Sequence, residues 1–212
     1  MINRLRSTYR DYPRNFWVVV GASFIDTIGR TAMIPFFALY VTQKFDVGMT
    51  EAGILFAIFS LAGFFGNIVG GALADRFGRK SIIIFGLVVS ALSSLAMGLV
   101  DQLQTFYVLA AVVGLLSDVA GPAHGAMVAD MLPEAKRAEG FGVLRVGANL
   151  AWIVGPTLGG LLAAQSYLYI FIADAISSMI TALIVYRLIP ETRPQAKELA
   201  SRESLAQTFR GY

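Results

Sequence analysis

The sequence predicts an all-α membrane protein with six transmembrane helices. Only 15% of its 212 residues are charged, against about 25% in a typical soluble domain. The apolar residues form long uncharged blocks, such as 53–74 and 81–100. A helix of about 20 residues is roughly 30 Å long, which matches the core of a bilayer. Lipid is therefore the expected surrounding of most of this chain.

Six apolar segments account for these blocks, and we call them spans 1 to 6. They are predicted at residues 16–41, 50–74, 81–100, 103–131, 140–164 and 167–189. The loops between them are short, so neighbouring spans must run antiparallel. Aromatic residues near the span ends are typical of the belt at a membrane interface. These residues are Phe16, Trp17, Tyr40, Phe106, Tyr107, Tyr167 and Tyr186.

The positions of Lys and Arg predict the orientation of the spans. Fourteen of the 17 lie in the two tails or in the loops after spans 2 and 4, and Lys44 alone lies on the other side. Cytoplasmic loops carry an excess of these residues, so both termini are predicted to be cytoplasmic. The basic character is thereby explained by topology, and no nucleic-acid partner is predicted.

This topology divides the chain into three regions. Residues 1–15 form a cytoplasmic tail, 16–189 a transmembrane bundle, and 190–212 a cytoplasmic linker. The linker is polar but places three apolar side chains at helical spacing, which predicts an amphipathic helix on the membrane surface. These side chains are Leu205, Phe209 and Tyr212.

An internal repeat divides the spans into two sets of three. Spans 2 and 5 share the pattern G-x-x-x-G-G-x-L-A, which begins at Gly66 and at Gly155, 89 residues apart. Spans 1 and 4 share the shorter pattern D-x-x-G, which begins at Asp26 and at Asp118, 92 residues apart. Each set has an odd number of spans, so the second set starts on the opposite side of the membrane from the first. The second set must therefore be inverted, as in many secondary transporters. The alternative is that these small residues serve helix packing without any repeat.

The loop between spans 2 and 3 carries the most specific motif. Residues 71–80 read GALADRFGRK, with one acid and three bases around a glycine that permits an unusual turn. The string resembles the loop signature G-x-L-A-D-R-x-G-R-K of the Major Facilitator Superfamily at every specified position. The resemblance implies a latch at the cytoplasmic gate, in which the arginine pairs with an acid at the inner end of span 4. The implied residues are Gly71, Asp75, Arg76, Gly78, Arg79, Lys80 and Asp130. A basic loop that only fixes topology is the alternative.

Span 5 carries a second motif of the same family. It is similar to G-x-x-x-G-P-x-x-G-G, which is associated with exporters that exchange substrate for protons. The matching residues are Gly155, Pro156, Gly159 and Gly160. Ala151 stands where the family has its first glycine, and a plain packing kink is the alternative. Leu115 stands where many proton-coupled members have an arginine, so the family's proton relay does not carry over directly.

Ionisable residues inside the spans are candidates for transport. An Asp or Arg at a helix centre costs about 2.5 to 3.5 kcal/mol, so such a residue should face a cavity or a partner. The predicted cavity for substrate or protons comprises Asp26, Arg30, Asp118, Asn149 and Trp152. Asp26 and Arg30 lie four residues apart and can form an ion pair. Structural roles are favoured for Asp174 and His124, and Arg145 is predicted to be a gate contact or a snorkelling side chain.

The resemblance implies the amino-terminal six-helix half of a transporter, with substrate passing between this bundle and a second one. The hypothesis is a proton-coupled exporter of small amphipathic molecules in a plasma membrane, as in the bacterial inner membrane. Its partners would be the lipid bilayer, the substrate, and either a carboxy-terminal half or a second copy. A proton gradient would drive it, without cofactor or metal.

Two other functions remain open as alternatives to this hypothesis. An importer or uniporter of sugars or metabolites would have the same fold. A half-length protein that does not transport could serve as a partner subunit. An enzyme is not predicted, because the chain has no cysteine, no H-E-x-x-H motif and only one histidine.

Overall fold

The computed structural model of the chain describes residues 11–193. In this part, six helical segments are long and apolar enough to cross a membrane. They are Arg14–Phe45, Met49–Phe77, Arg79–Leu99, Leu103–Met131, Glu134–Ala163 and Tyr167–Leu188, and we keep the names spans 1 to 6 for them. The predicted fold class of six transmembrane helices is confirmed. The predicted linker helix with Leu205, Phe209 and Tyr212 lies outside the described residues.

Span 5 begins six residues earlier than predicted. Pro133 disfavours a helical conformation in the residue before it, so Leu132 is extended (φ −120°, ψ 138°) and span 4 ends at Met131. Glu134 then opens span 5 with an acid in its first turn, where the helix dipole favours negative charge. The additional first turns of span 5 are polar, so the apolar pattern alone did not include them.

Span 4 is broken in the middle, which the sequence analysis did not predict. Two helices, Leu103–Ser117 and Ala120–Met131, are separated by Asp118 and Val119. Pro122 has no N–H to donate to the carbonyl of Asp118 four residues before it. The N–H of Gly121 donates to that carbonyl instead, at 3.3 Å. The tightened turn places the Asp118 side chain at a break rather than inside a continuous helix.

The two glycine-rich spans pack in the same way, each against a different partner. A Cβ on Gly66 or Gly70 would collide with the backbone carbonyls of Leu115 or Val119 in span 4. A Cβ on Gly155 would lie 2.8 Å from the carbonyl of Ile28 in span 1. Span 2 therefore packs on span 4 as span 5 packs on span 1, which is the arrangement expected of two inverted three-helix repeats.

These contacts correct the predicted register between spans 1 and 4. Gly70 packs on Val119, and its counterpart Gly159 packs on the carbonyl of Ala32. Val119 and Ala32 are 87 residues apart, whereas the D-x-x-G pattern had predicted an offset of 92. Asp26 and Asp118 are therefore not equivalent positions of the repeat. A pattern with only two specified residues is too short to show which positions of spans 1 and 4 are equivalent. The backbone contacts of the paired glycines show this directly.

Two apolar clusters fill the bundle, one near each end. The first surrounds Phe16 at the end that also holds Arg79, and the second surrounds Phe106 at the end that holds Lys44. Both rings are completely buried, and Tyr40 is only 5% exposed, with its hydroxyl donating to the carbonyl of Met97 at 2.8 Å. The prediction of these three as interfacial belt residues is wrong, because they pack between helices.

Candidate functional site

A cavity of about 280 Å³ lies between spans 1, 3, 4 and 6. Hydroxyl, carboxyl, guanidinium and imidazole groups all contribute to its lining. These polar residues are Ser23, Asp26, Thr27, Arg30, Ser90, Ser117, Asp118, His124 and Thr181. The structure thus brings together three residues that the sequence analysis assigned to a common cavity, namely Asp26, Arg30 and Asp118.

Asp26 is held by span 6 rather than by Arg30. The Oγ of Ser178 donates to Oδ1 of Asp26 at 3.0 Å. Gly29 lets the two helices approach, since a Cβ there would lie 3.1 Å from Cα of Asp174. Among the described residues, no ion pair joins Asp26 to Arg30, so the predicted pairing is wrong. Both residues line the cavity, but Arg30 is exposed whereas Asp26 is half-buried.

Asp118 approaches the same cavity from the break in span 4. Its carboxylate lies against Gly63 of span 2, where a Cβ would collide with Oδ2. In the part of the chain that the structure describes, no carboxylate lies within ion-pair distance of Arg30, which lines the same cavity. The cavity lining thus holds one guanidinium and two carboxyl groups, which come from spans 1 and 4.

Asn149 and Trp152 lie outside this cavity. Span 5 turns Ala151 and Gly155 towards span 1, and both are buried. Asn149 and Trp152 therefore lie on the opposite, exposed face, where Trp152 is 48% exposed. The structure does not bring them into this cavity with Asp26, because the buried glycine face of span 5 determines which way the helix is turned.

His124 is a cavity residue for which the sequence analysis favoured a structural role. Its Nε2 lies 2.7 Å from Oγ of Ser23 across the interface of spans 1 and 4. Ser23 precedes Asp26 by three residues, so the imidazole reaches the cavity from the side nearer the Arg79 end. His124 was noted in the sequence because it is the one histidine of the chain, and this does not reveal the contact with Ser23.

The loop motif forms the ion pair with the inner end of span 4 that the resemblance implied. The guanidinium of Arg79 forms an ion pair with Asp130, and the two side chains are only 10% and 21% exposed. Gly78 has a positive φ of 93°, which an L side chain rarely adopts. Lys80 Nζ donates to the carbonyl of Tyr186 at 2.8 Å. The side chain of Asp75 is exposed and has no ion pair among the described residues.

Glu191, which follows span 6, was not predicted from the sequence as a functional residue. Its carboxylate accepts hydrogen bonds from the backbone N–H groups of Arg79 at 3.0 Å and Lys80 at 3.1 Å. These groups begin span 3 and have no partner within that helix, so Glu191 caps it from a distant part of the sequence. Arg193 adds a donor bond to the carbonyl of Arg76 at 3.0 Å. A glutamate 112 residues away gives no local signal of such a cap.

Replacing Glu191 with alanine is expected to lower the free energy of unfolding by about 1 to 2 kcal/mol, because the first N–H groups of span 3 lose their acceptor. Thermal unfolding of the purified protein in detergent would measure the loss. Glu191→Gln is the matched control and should lose less, since its amide oxygen can still accept from one of these groups. Equal stability of Glu191→Ala and the wild type would contradict the capping role.

The proline motif of span 5 supports close packing on span 1. The helix continues through Pro156 to Ala163. The Oγ1 of Thr31 donates to the carbonyl of Ala151 at 3.1 Å, one turn before the proline. Gly160 faces the ring of Phe36, where a Cβ would meet Cζ at 3.4 Å. The motif thus joins the first span of one repeat to the second span of the other.

Comparison with known proteins agrees with this architecture. The family model of the Major Facilitator Superfamily matches residues 19–211. The chain therefore belongs to the Major Facilitator Superfamily, and it is a multi-pass membrane protein of a transporter family rather than an enzyme.

Curated relatives include proteins with different named activities. An uncharacterized transporter of this superfamily from Bacillus subtilis, YttB, is 31% identical over 82% of this chain. A Na⁺, Li⁺, K⁺/H⁺ antiporter from Planococcus maritimus is 29% identical over 86%. The quinolone resistance protein NorA from Staphylococcus aureus is 28% identical over 68%. The chain spans 44%, 44% and 37% of these relatives, so it matches less than half of each.

Solved transporters share the fold at low sequence identity. A crystal structure of the peptide transporter POT superposes with a TM-score of 0.75 and 17% identity over 94% of this chain, which is 45% of that protein. The human organic anion transporter MFSD10 gives a TM-score of 0.70 and 19% identity, covering 87% of this chain and 49% of that one. In both comparisons the chain corresponds to about half of a transporter.

Proposed function

We propose that the chain is the amino-terminal half of a secondary transporter that exports small amphipathic molecules in exchange for protons. The observation that carries the proposal is the cavity that brings Asp26 and Asp118 to a single Arg30. Carboxyl groups inside a membrane bundle are costly, and in transporters they mark ion and proton pathways. The efflux and antiporter relatives and the span 5 motif support export coupled to protons.

The proposed mechanism uses protonation to shift a conformational equilibrium. A proton on Asp26 or Asp118 removes a negative charge from the cavity, and this changes the relative free energies of two states of the bundle. Asp118 lies at the break in span 4, where Pro122 provides no N–H and the two helix segments are less firmly joined than in a continuous helix. Uptake of the proton on one side and its release on the other would then couple the gradient to substrate movement.

The second half of the pathway would come from another six-helix bundle, either a carboxy-terminal half or a second copy. The relatives and solved structures are about twice as long as this chain. The exposed Asp75 is available for a contact with that second bundle, while Arg79 and Asp130 pair with each other within this one. The distribution of Lys and Arg supports cytoplasmic termini in a bacterial inner membrane.

Exchange of an alkali-metal cation for protons is a second candidate function. The antiporter relative from Planococcus maritimus favours it, and so does a cavity that offers two carboxylates and several hydroxyl oxygens. Hard cations such as Na⁺ prefer oxygen ligands of this kind. An importer or uniporter, and a half-length partner subunit, are the remaining alternatives.

Replacing Asp26 and Asp118 with asparagine, singly and together, tests the proposal. We expect the double variant to lose pH-driven transport in inverted vesicles, because neither side chain can then exchange a proton. The assay would follow efflux of a fluorescent amphipathic cation, and in a parallel arm Na⁺-driven proton movement. Asp101→Asn is the matched control, since Asp101 is an exposed carboxylate that pairs with Lys44 at 3.1 Å outside the cavity.

Three outcomes separate the candidates. Unchanged transport in the double variant would exclude the carboxylate role. Transport that continues after the proton gradient is collapsed would favour a uniporter. Proton movement that responds to Na⁺ but not to the amphipathic cation would favour alkali-cation exchange.

A further inference from the structure

We propose that Arg30 and Asp118 are the two charged contacts of a binding site for zwitterionic amphipathic molecules. Arg30 takes an oxyanion group of the ligand, such as a carboxylate, and Asp118 takes an ammonium group. Both residues line the cavity between spans 1, 3, 4 and 6. The inference names a substrate class for the proposed function, and it rests on that function for the movement of such molecules across the membrane.

The first argument is that neither charge has a partner of opposite sign in the bundle. Over residues 11–193, no acid lies within ion-pair distance of Arg30, and no base lies within that distance of Asp118. The other ionisable side chains of the lining do have partners, since Asp26 accepts from Ser178 and His124 contacts Ser23. The cavity therefore offers one positive and one negative group for a ligand to pair.

The second argument is that the two charges lie at the same depth in the bundle. Ser23 and His124 are in contact across spans 1 and 4, with 2.7 Å between Oγ and Nε2. Arg30 follows Ser23 by seven residues, and Asp118 precedes His124 by six. Because spans 1 and 4 run antiparallel, both charges lie on the same side of that contact and roughly 10 Å from it. Opposite charges that share one depth without binding each other leave a space that a zwitterion can fill.

The exposure of Arg30 indicates where the site opens. Arg30 lies near the middle of span 1, Arg14–Phe45, and is exposed on the surface of the bundle. A charged side chain at this depth is strongly disfavoured against lipid. This side of span 1 therefore faces a water-filled pathway or the second bundle. An acid of that bundle is the rival partner for Arg30, and it would give the cavity no preference for an anionic ligand group.

The remaining lining suits the apolar body of an amphipathic molecule. Val19, Leu87 and Met127 line the cavity, and each is less than 10% exposed. Val19 precedes Arg30 by eleven residues, which is roughly 16 Å along a helix. The site is therefore elongated, with apolar side chains at the end that holds Arg79 and both charges at the other end.

Competition at Asp118 connects this site to exchange. A proton on the carboxylate removes the negative charge that holds an ammonium group, so binding of either one displaces the other. Arg30 takes no part in this competition, because a guanidinium stays charged at any physiological pH. It therefore adds affinity for the oxyanion group without altering the exchange of proton for substrate.

Three matched probes test the two charges separately. Nε-dansyl-lysine is a zwitterion with an apolar body, its methyl ester lacks the negative charge, and its Nα-acetyl derivative lacks the positive charge. Equilibrium dialysis against the purified protein in detergent, corrected with protein-free micelles, would measure the three affinities. We expect the wild type to bind the zwitterion about 10- to 100-fold more tightly than either derivative, which is the effect of one charge-assisted contact.

Variants assign each preference to a residue. Arg30→Gln should lose the preference for the zwitterion over the ester while binding the ester as the wild type does, and Asp118→Asn should lose the preference over the acetyl derivative. Arg30→Lys keeps a positive charge and should retain part of the first preference, which provides a second reading if Arg30→Gln does not fold. Arg187→Gln is the control, because Arg187 is exposed in the last turn of span 6 and away from the cavity.

Two results would overturn the proposal. The first is equal binding of the three probes by the wild type. The second is an equal weakening of all three in Arg30→Gln, which would show that Arg30 supports the fold or pairs with an acid of the second bundle. An unchanged set of three affinities in Arg187→Gln is required for either conclusion.

Failure of this inference and failure of the proposed function are distinguishable, because the binding assay needs no proton gradient. A zwitterion preference that Arg30→Gln abolishes, combined with normal transport in the double variant of Asp26 and Asp118, would retain the oxyanion site and exclude proton exchange. Loss of pH-driven transport in that double variant, combined with equal binding of the three probes by the wild type, would retain proton exchange and exclude the site.

Discussion

The variant Asp130→Ala is expected to lower the free energy of unfolding by about 3 kcal/mol, because it leaves the charge of Arg79 largely buried and unpaired. The ion partner of Arg79 in this bundle is Asp130. Its remaining side-chain acceptor is the carbonyl of Ala126, at 3.5 Å, which is too distant to replace a carboxylate. Thermal unfolding of the purified protein, followed by circular dichroism in detergent, would measure the effect.

The double variant Arg79→Met with Asp130→Leu should recover most of that loss, since no unpaired charge then remains. Asp75→Ala serves as the control within the same motif, because Asp75 is exposed and has no ion pair in the described part of the chain. Its stability should stay within about 0.5 kcal/mol of the wild type. A single variant Asp130→Ala as stable as Asp75→Ala would show that the pair contributes nothing to the bundle.

The sequence predicted the spans well because their signal is local. Long uncharged blocks and short loops define a membrane helix without reference to its neighbours. The errors in the prediction occur where tertiary contacts determine the course of a helix or the burial of a side chain. Span 4 breaks because Pro122 removes a donor, and Phe16 and Phe106 are buried because other helices cover them. Neither effect can be read from an apolar pattern.

The candidate site was predicted in part for the same reason. Asp26, Arg30 and Asp118 were identified because a charge inside an apolar span is conspicuous in any sequence. Which partners they have depends on helix rotation, and the glycine contacts of span 5 exclude Trp152 from the cavity. Glu191 acts through backbone N–H groups of a distant helix, and glutamate is common near any helix end.

Each repeat contains two adjacent glycines that are expected to differ sharply in their tolerance of alanine. A Cβ on Gly70 would collide with the backbone of Val119, whereas a Cβ on Gly71 would meet nothing within 4 Å. The backbone of span 4 cannot move aside as a flexible side chain can. Gly70→Ala should therefore cost about 3 kcal/mol or more, while Gly71→Ala should stay within about 1 kcal/mol of the wild type.

The same contrast should recur in the second repeat, which makes it a test of the fold as well as of the packing. A Cβ on Gly159 would collide with the carbonyl of Ala32, but one on Gly160 would meet only the end of the Phe36 ring, at 3.4 Å. Unfolding curves of the four alanine variants should therefore fall into two pairs, Gly70 with Gly159 and Gly71 with Gly160. We expect this grouping because both inverted units use the first glycine of the adjacent pair, Gly70 or Gly159, for contact with the backbone of another span. If Gly159→Ala instead behaved like Gly160→Ala, span 5 would not approach span 1 as span 2 approaches span 4, and the register of 87 residues between spans 1 and 4 would be incorrect.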